Sequence, residues 1–210
     1  MEIFINGQSG LVSADDDVSV EGIHAYLQQE LAKQGLIIQA FVLDGEEVFF
    51  DVASDVHGKN LQDYKKLEVQ CAPAEQIAWD ILTELEDKPS LLGAEAAKVT
   101  EELQTGKTKE AHERLVRFSN SISYIINGIS GANGVIGSNL AETLSDDENE
   151  RLAKVGEYLT EIDTAIRDED FTTVGDVLEF DLAPALQVLT AIISRLKADL
   201  AERAEGGASE

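Results

Sequence analysis

Thr105-Gly106-Lys107-Thr108 carries the Gly-Lys-Thr triplet of a phosphate-binding loop, in which successive backbone amides and a lysine hold anionic oxygens. That loop also needs an earlier glycine, five positions before the second, and a strand leading into it. Glu101 stands at that position and helical spacing precedes it, so the tetrapeptide predicts a glycine turn followed by a helix capped at Thr108. Gly128, Gly131, Gly134 and Gly137 recur at every third residue, a spacing unlike the dinucleotide-binding fingerprint, and no strand precedes them. Four glycines would weaken a helix by about 1 kcal/mol each. The stretch from Asn127 to Asn139 is therefore expected to be a flexible connection and the mobile binding element of the chain. The alternative is a helix end whose missing side chains let another backbone approach closely.

Asp15-Asp16-Asp17 and Asp146-Asp147-Glu148-Asn149-Glu150 gather carboxylates as a divalent cation would require. Neither has the alternating ligands and central glycine of a calcium loop. The second cluster reads as a helix start, with Ser145 and Glu148 forming a capping box. His24, His57 and His112 are dispersed, without the paired spacing or adjacent cysteine of a zinc site. A cysteine–histidine or serine–histidine pair would have to be assembled in space, and no nucleophile sits on a recognisable elbow. No catalytic residue, metal ligand or cofactor is assigned. Cys71, the one cysteine, excludes an internal disulfide and reads as a buried, inert thiol at the end of an apolar strand. Trp79 and Tyr124 lie near helical stripes and are expected in the core.

Composition narrows the partners. The chain has 210 residues, 43% hydrophobic and 27% charged, which suits a soluble globular protein able to bury a core. Its net charge of −25 is unusual. Residues 1–72 hold thirteen acidic and four basic side chains (net −9), and residues 73–210 hold twenty-eight and twelve (net −16), so both halves are acidic. Such charge repels nucleic-acid phosphates and anionic lipid head groups, and the longest basic cluster is Lys65-Lys66. The expectation is a protein partner, no nucleic acid and no membrane. High solubility or a salt-adapted host would produce the same acidity. No basic-then-apolar leader and no apolar run near about eighteen residues is evident, which points to the cytoplasm.

The elements that must position these residues change character at Cys71-Ala72-Pro73. Before it, apolar residues alternate or run in short blocks, the mark of strands; after it they recur every three or four residues, the mark of helices. Glu2–Asn6 predicts a strand, Asn6-Gly7 a hairpin turn, and Gly10–Ser13 its partner with Leu11 and Val12. Ser19 caps a helix whose apolar face holds Ile23, Tyr26, Leu27 and Leu31, and Gly35 stops it. Leu36–Leu43 pairs through Asp44-Gly45 with Val48–Val52. A loop or short helical turn from Asp55 to Tyr64 leads to a last strand, Leu67–Cys71.

Five helical stretches and a shorter one follow. Ile77, Ile81 and Leu85 mark the first, ended by Lys88-Pro89; Leu92, Ala96, Val99 and Leu103 mark the second. Leu115, Phe118, Ile122, Ile125 and Ile129 mark the third, and Leu152, Val155, Leu159, Ile162 and Ile166 the fourth. Thr172–Phe180 is a short helix, and Leu186, Leu189, Ile193, Leu196 and Leu200 mark the last, with Pro184 near its start. Narrow stripes opposite charged faces make these bundle helices and not membrane helices.

The order strand, strand, helix, strand, strand, strand resembles a β-grasp, or ubiquitin-like, domain. Ubiquitin-type modifiers end in a free Gly-Gly, whereas the last strand here runs into Ala72-Pro73, so conjugation is excluded. Val174–Pro184 is similar to an acidic, leucine-rich segment of uncharacterised bacterial proteins that join a small amino-terminal domain to helices, a likeness that implies no activity. The bundle also resembles helical export chaperones for flagellar or secretion subunits.

The expected architecture is α+β: a β-grasp-like domain at 1–72, an antiparallel helical bundle at 73–203 and a disordered tail at 204–210. The three-residue joint Ala72-Pro73-Ala74 predicts a fixed orientation of the two halves. The expected function is a non-enzymatic, protein-binding adaptor or chaperone-like role. Its candidate contacts are Gly128, Gly131, Gly134 and Gly137 together with Asp176, Glu179 and Asp181. The alternatives are an enzyme with a site between the halves that uses His57 or His112, and a homo-oligomeric structural protein.

Overall fold

Asn6 and Gly7 both take left-handed backbone (φ 48° and 78°), as the two central residues of a tight hairpin must, and they join β1 (Glu2–Ile5) to β2 (Gln8–Ser9). The Asn6 side chain then ties this turn to a distant strand. Its Oδ1 accepts from the Cys71 N–H and its Nδ2 donates to the Cys71 carbonyl, each at 2.9 Å. These contacts belong to a computed structural model that describes residues 1–10, 12, 18–50, 56–137 and 144–207. The chain is α+β, a five-stranded mixed sheet followed by helices, and it divides into two units, Met1–Ile77 and Ala78–Glu210.

In the first unit β3 (Leu36–Leu43), β4 (Glu46–Glu47) and β5 (Lys66–Pro73) complete a sheet of order β2-β1-β5-β3-β4. β1 runs parallel to β5, and the other pairs are antiparallel. The Ser19 hydroxyl accepts from the Gly22 N–H (3.0 Å) to start α1 (Val20–Ala32), and Gly35, at φ 70°, reverses the chain beyond its end. Val20, Ile23, Leu27 and Leu31 of α1 share one core with Ile3, Ile5, Phe41, Leu43, Leu67, Val69 and Cys71. Alternate residues of β5 thus face inward, as a period of two requires.

Some expectations shift here. β2 lies at Gln8–Ser9 instead of Gly10–Ser13, because Gly10 turns away at φ 82°; Leu11 and Ser13 fall outside the described residues, as do Asp15, Asp16 and Asp17. The partner of β3 is Glu46–Glu47 and not Val48–Val52, although the Val48 N–H still donates to the Phe41 carbonyl (2.8 Å). Phe50 leaves the pairing line to stack on the His24 ring, with centroids 3.8 Å apart, and Asp51 and Val52 lie outside the described residues. Tyr26 is half exposed, and Val20 supplies the fourth core position of α1.

β5 gives way to α2 (Ala74–Leu85) at the next residue. Then come α3 (Lys88–Gln104), α4 (Thr108–Ile136), α5 (Asp146–Arg167), α6 (Phe171–Asp176), a π-helical segment (Val177–Leu182), α7 (Ala183–Ala185) and α8 (Val188–Gly207). Phe118, Ile122, Ile125 and Ile129 of α4, Val155 and Ile162 of α5, and Leu186 through Leu200 pack into one core at the expected intervals. α5 opens on the Ser145–Glu148 capping box. Arg195 grips the same carboxylate at 3.0 and 3.1 Å, and with the Ser145 bonds it brings the Glu148 pKa down to about 2.

Within Phe171–Ala204 an 18-residue window with a mean hydropathy of 1.5 and at most two charged residues is long and apolar enough, by length and composition alone, to cross a membrane. Half of that window is buried, and Leu178, Leu182, Leu186, Leu189 and Ile192 are enclosed in the core of the second unit.

The glycine-rich stretch is helix, not a flexible connection. Gly128, Gly131 and Gly134 lie within α4, and Gly137 closes it in left-handed backbone (φ 66°); Asn139 lies outside the described residues. Burial of Ile125, Ile129, Ala132 and Ile136 on the same turns offsets the poor glycine propensity. Gly128 also admits α2, since a Cβ there would sit 2.6 Å from Leu85 Cδ1.

Other differences are smaller. The buried stripe of α2 is Ala78, Leu82 and Leu85, with Ile81 at its margin. Lys88-Pro89 opens α3 instead of ending α2, because proline suits a first helical turn. Thr108 is the first residue of α4 and makes no side-chain cap. Trp79 and Tyr124 stand at the surface, where Lys197 lies over the face of the Trp79 ring (4.9 Å) and the Tyr124 hydroxyl donates to Glu84 (2.7 Å). α8 continues to Gly207, past the expected end at 203.

Candidate functional site

Two helix–turn–helix connections in the second unit frame a concavity. The first turn joins α3 to α4 through Gly106 at φ 74°, closed by the Lys107 N–H donating to the Glu102 carbonyl (2.8 Å). The second joins α5 to α6 through Asp168–Asp170. Asp170 caps α6 by accepting from the Thr173 N–H (3.1 Å) and hydroxyl (2.7 Å), and these bonds lower its pKa.

Beside both turns lies a cleft of about 490 Å³. Val99 and Leu103 of α3, Leu115 of α4, Ile166 of α5, and Phe171 and Val174 of α6 form its apolar lining. Thr108, Lys109, His112, Glu113 and Glu169 supply the polar groups. Volume and lining both suit a binding site for an apolar group with a polar neighbour. No hydrogen bond or ion pair among the described residues engages the side chains of Lys109, His112, Glu113 or Glu169. His112 shares this lining with the Thr108 hydroxyl and the Glu113 and Glu169 carboxylates.

Glu169 has left-handed backbone (φ 56°). A residue with a Cβ is disfavoured there by about 1 kcal/mol, and among the described residues the other non-glycine cases are Asn6 and Asp44, whose types tolerate it. The turn is nonetheless fully bonded, Glu169 N–H to the Ile166 carbonyl (3.1 Å) and Asp170 N–H to the Ala165 carbonyl (2.9 Å).

A smaller cavity of about 110 Å³ adjoins the cleft through Leu103 and Phe171 and includes Thr100, Gly175 and Asp176. Thr100 is buried, and its hydroxyl donates to the Ala96 carbonyl (3.2 Å). Gly175 gives it room, since a Cβ would lie 3.0 Å from Thr100 Cγ2. Arg114 braces the same end of the bundle. Its guanidinium bonds Glu102 (2.8–3.1 Å) and Glu95 (3.1 Å), pairing α4 with α3 and holding both carboxyls below their usual range; for Glu95, Lys98 contributes more.

The candidate residues read from sequence fall into two places. Gly128 lets α4 pack against α2 and Gly137 closes the helix, while Gly131 and Gly134 lie within it facing open space, so the stretch is helix and not a flexible connection. Asp176, Glu179 and Asp181 are exposed on the α6–π segment beside Phe180, which is 68% exposed, while Val177, Leu178 and Leu182 root the segment in the core. Asp176 is the one that also lines a cavity. The lining of the cleft went unnoticed in sequence, because Val99, Leu103, Leu115 and Ile166 carry the same periodicity as core residues.

The other histidines lie in the first unit. His24 is edge-on to Phe41 and stacked on Phe50 beside a second cavity of about 450 Å³, and burial lowers its pKa. His57 Nδ1 lies 3.1 Å from Glu21 Oε1, which also accepts from the Gly58 N–H (2.9 Å). Among the described residues no three His, Cys, Asp or Glu side chains converge as a metal would need.

Two known families match the chain. The family described as Domain of unknown function (DUF8042) covers residues 80–192, and the TP0873 N-terminal domain covers residues 1–73. No curated protein and no solved structure matches.

Proposed function

The chain belongs to the family Domain of unknown function (DUF8042), which spans more than half of it, and from that premise we propose that it is a non-enzymatic, cytoplasmic protein-binding module, an adaptor or chaperone-like protein. The observation that carries this reading is the cleft: an apolar lining of about 490 Å³ with unengaged polar groups, inside the region the family covers. Phe180, on the segment that follows Asp176, adds an exposed aromatic side chain elsewhere on the surface of the same unit. Asp176, Glu179 and Asp181 surround it, and the chain carries −25 overall, which favours a basic amphipathic segment of another protein over nucleic acid or a membrane. The sheet order, with β1 parallel to β5, supports a β-grasp, ubiquitin-like reading of the first unit.

A labelled basic amphipathic peptide with leucine or phenylalanine anchors tests this by fluorescence anisotropy. The unaltered protein should bind it at micromolar concentration, and Thr108→Trp, which obstructs the cleft from an exposed position, should weaken binding by about tenfold with an unchanged circular dichroism spectrum. Equal binding by both proteins, or none by either, would remove the cleft as the site. Concentration-dependent self-association blocked by the same substitution would make the partner a second copy of the chain.

A further inference from the structure

The helix ends of this chain contain an internal contrast. α1, α3 and α4 each give way to glycine in left-handed backbone, at Gly35, Gly106 and Gly137 (φ 70°, 74° and 66°). α5 gives way instead to Glu169, at φ 56°, and this exception lies at the cleft. Glycine there would keep both backbone bonds of the turn and relieve the strain, so the side chain must supply something the turn does not need. Its carboxylate has no partner among the described residues, and neither does that of Glu113. Against these two stands the single ammonium of Lys109, with His112 beside it. The excess acid agrees in sign with the whole chain.

Resting on the protein-binding reading of the cleft, we propose that Glu169 is its specificity-determining residue. Its carboxylate receives an arginine or lysine of the partner, and a large apolar side chain one helical turn away on that partner fills the cleft. The partner class is thus a basic amphipathic helix, read by one apolar anchor and one cation at i, i+3 or i, i+4 spacing. The strain at Glu169 is maintained because a carboxylate fixed there discriminates between partners, as strained backbone at binding sites often does.

The test compares three peptides of one sequence, with lysine, glutamine or glutamate at the position one turn from the anchor. Each is titrated against the unaltered protein, Glu169→Gln and Glu169→Gly, with melting temperatures recorded. The lysine peptide should bind the unaltered protein tightest. Glu169→Gln should cut the lysine-over-glutamine preference by about two- to fivefold, the scale of an exposed ion pair, and leave the glutamine peptide unaffected. Glu169→Gly should lose the same preference while melting about 3 °C higher. An unchanged preference in Glu169→Gln overturns the assignment, and so does a lower melting temperature in Glu169→Gly, which would make the residue structural. If the peptides still bind and Thr108→Trp still blocks them, the cleft reading survives that failure; if no peptide binds, both fall.

Discussion

The two ends of α4 handle space in opposite ways. Near its start, around Lys109 to Leu115, the helix borders an open cleft of about 490 Å³. Toward its finish, Gly128 brings it so close to α2 that even one carbon would meet Leu85 at 2.6 Å. The large apolar residues bound a hollow and the smallest residue seals a contact. Side-chain size alone therefore does not say where a bundle is filled; what matters is whether the facing helix has arrived.

The strongest way to break this comparison is Gly128→Val, which should destabilise the second unit by about 2 kcal/mol through overpacking against Leu85 and Ile81, read by urea denaturation. Full retention of stability would mean that the closed end has slack. Gly131→Ala sharpens the point, because nothing lies within 4 Å of the added carbon. Replacing this glycine, about one turn on, should stabilise by about 0.5–1 kcal/mol through helix propensity, and a loss would reveal a contact there.

The smallest effect concerns the brace at the open end. Arg114 holds the Glu102 carboxyl below the ordinary glutamate value of 4.5, so the stabilisation is present above that value and is lost as pH falls through the lower folded-state value. The stability gap between the unaltered protein and Glu102→Gln should thus be full near neutral pH and shrink progressively below about pH 4.5. A gap that stays constant into acid would show that the pair contributes nothing through charge.

Much of the fold was legible because local rules and burial agreed. Asn6-Gly7 and Asp44-Gly45 demand hairpins, Ser19 and Ser145 demand helix starts, and the inward alternation of Leu67, Val69 and Cys71 sets one face of β5. The glycine stretch was not legible, since propensity argues for a loop there while the apolar residues around the glycines argue for helix, and burial of Ile129, Ala132 and Ile136 prevailed. Trp79 and Tyr124 were misplaced for a related reason: periodicity marks a helix face, but an aromatic at its edge can keep its polar end outside. Of the candidate site, His112 in the cleft and Asp176 in the adjoining cavity were reached from sequence. The cleft is a property of where four helices fail to touch, and that absence has no signature in residue spacing.

Composition and periodicity by themselves determined the net acidity and the change from strands to helices near Cys71, because each depends on residue type or on neighbours a few positions apart. Only the tertiary structure decided that Gly128 seals a helix contact, that Phe180 and its acids stand exposed, and that Glu169 holds a strained backbone beside an open cleft. Those features come from chain segments tens of residues apart arriving, or failing to arrive, at the same place.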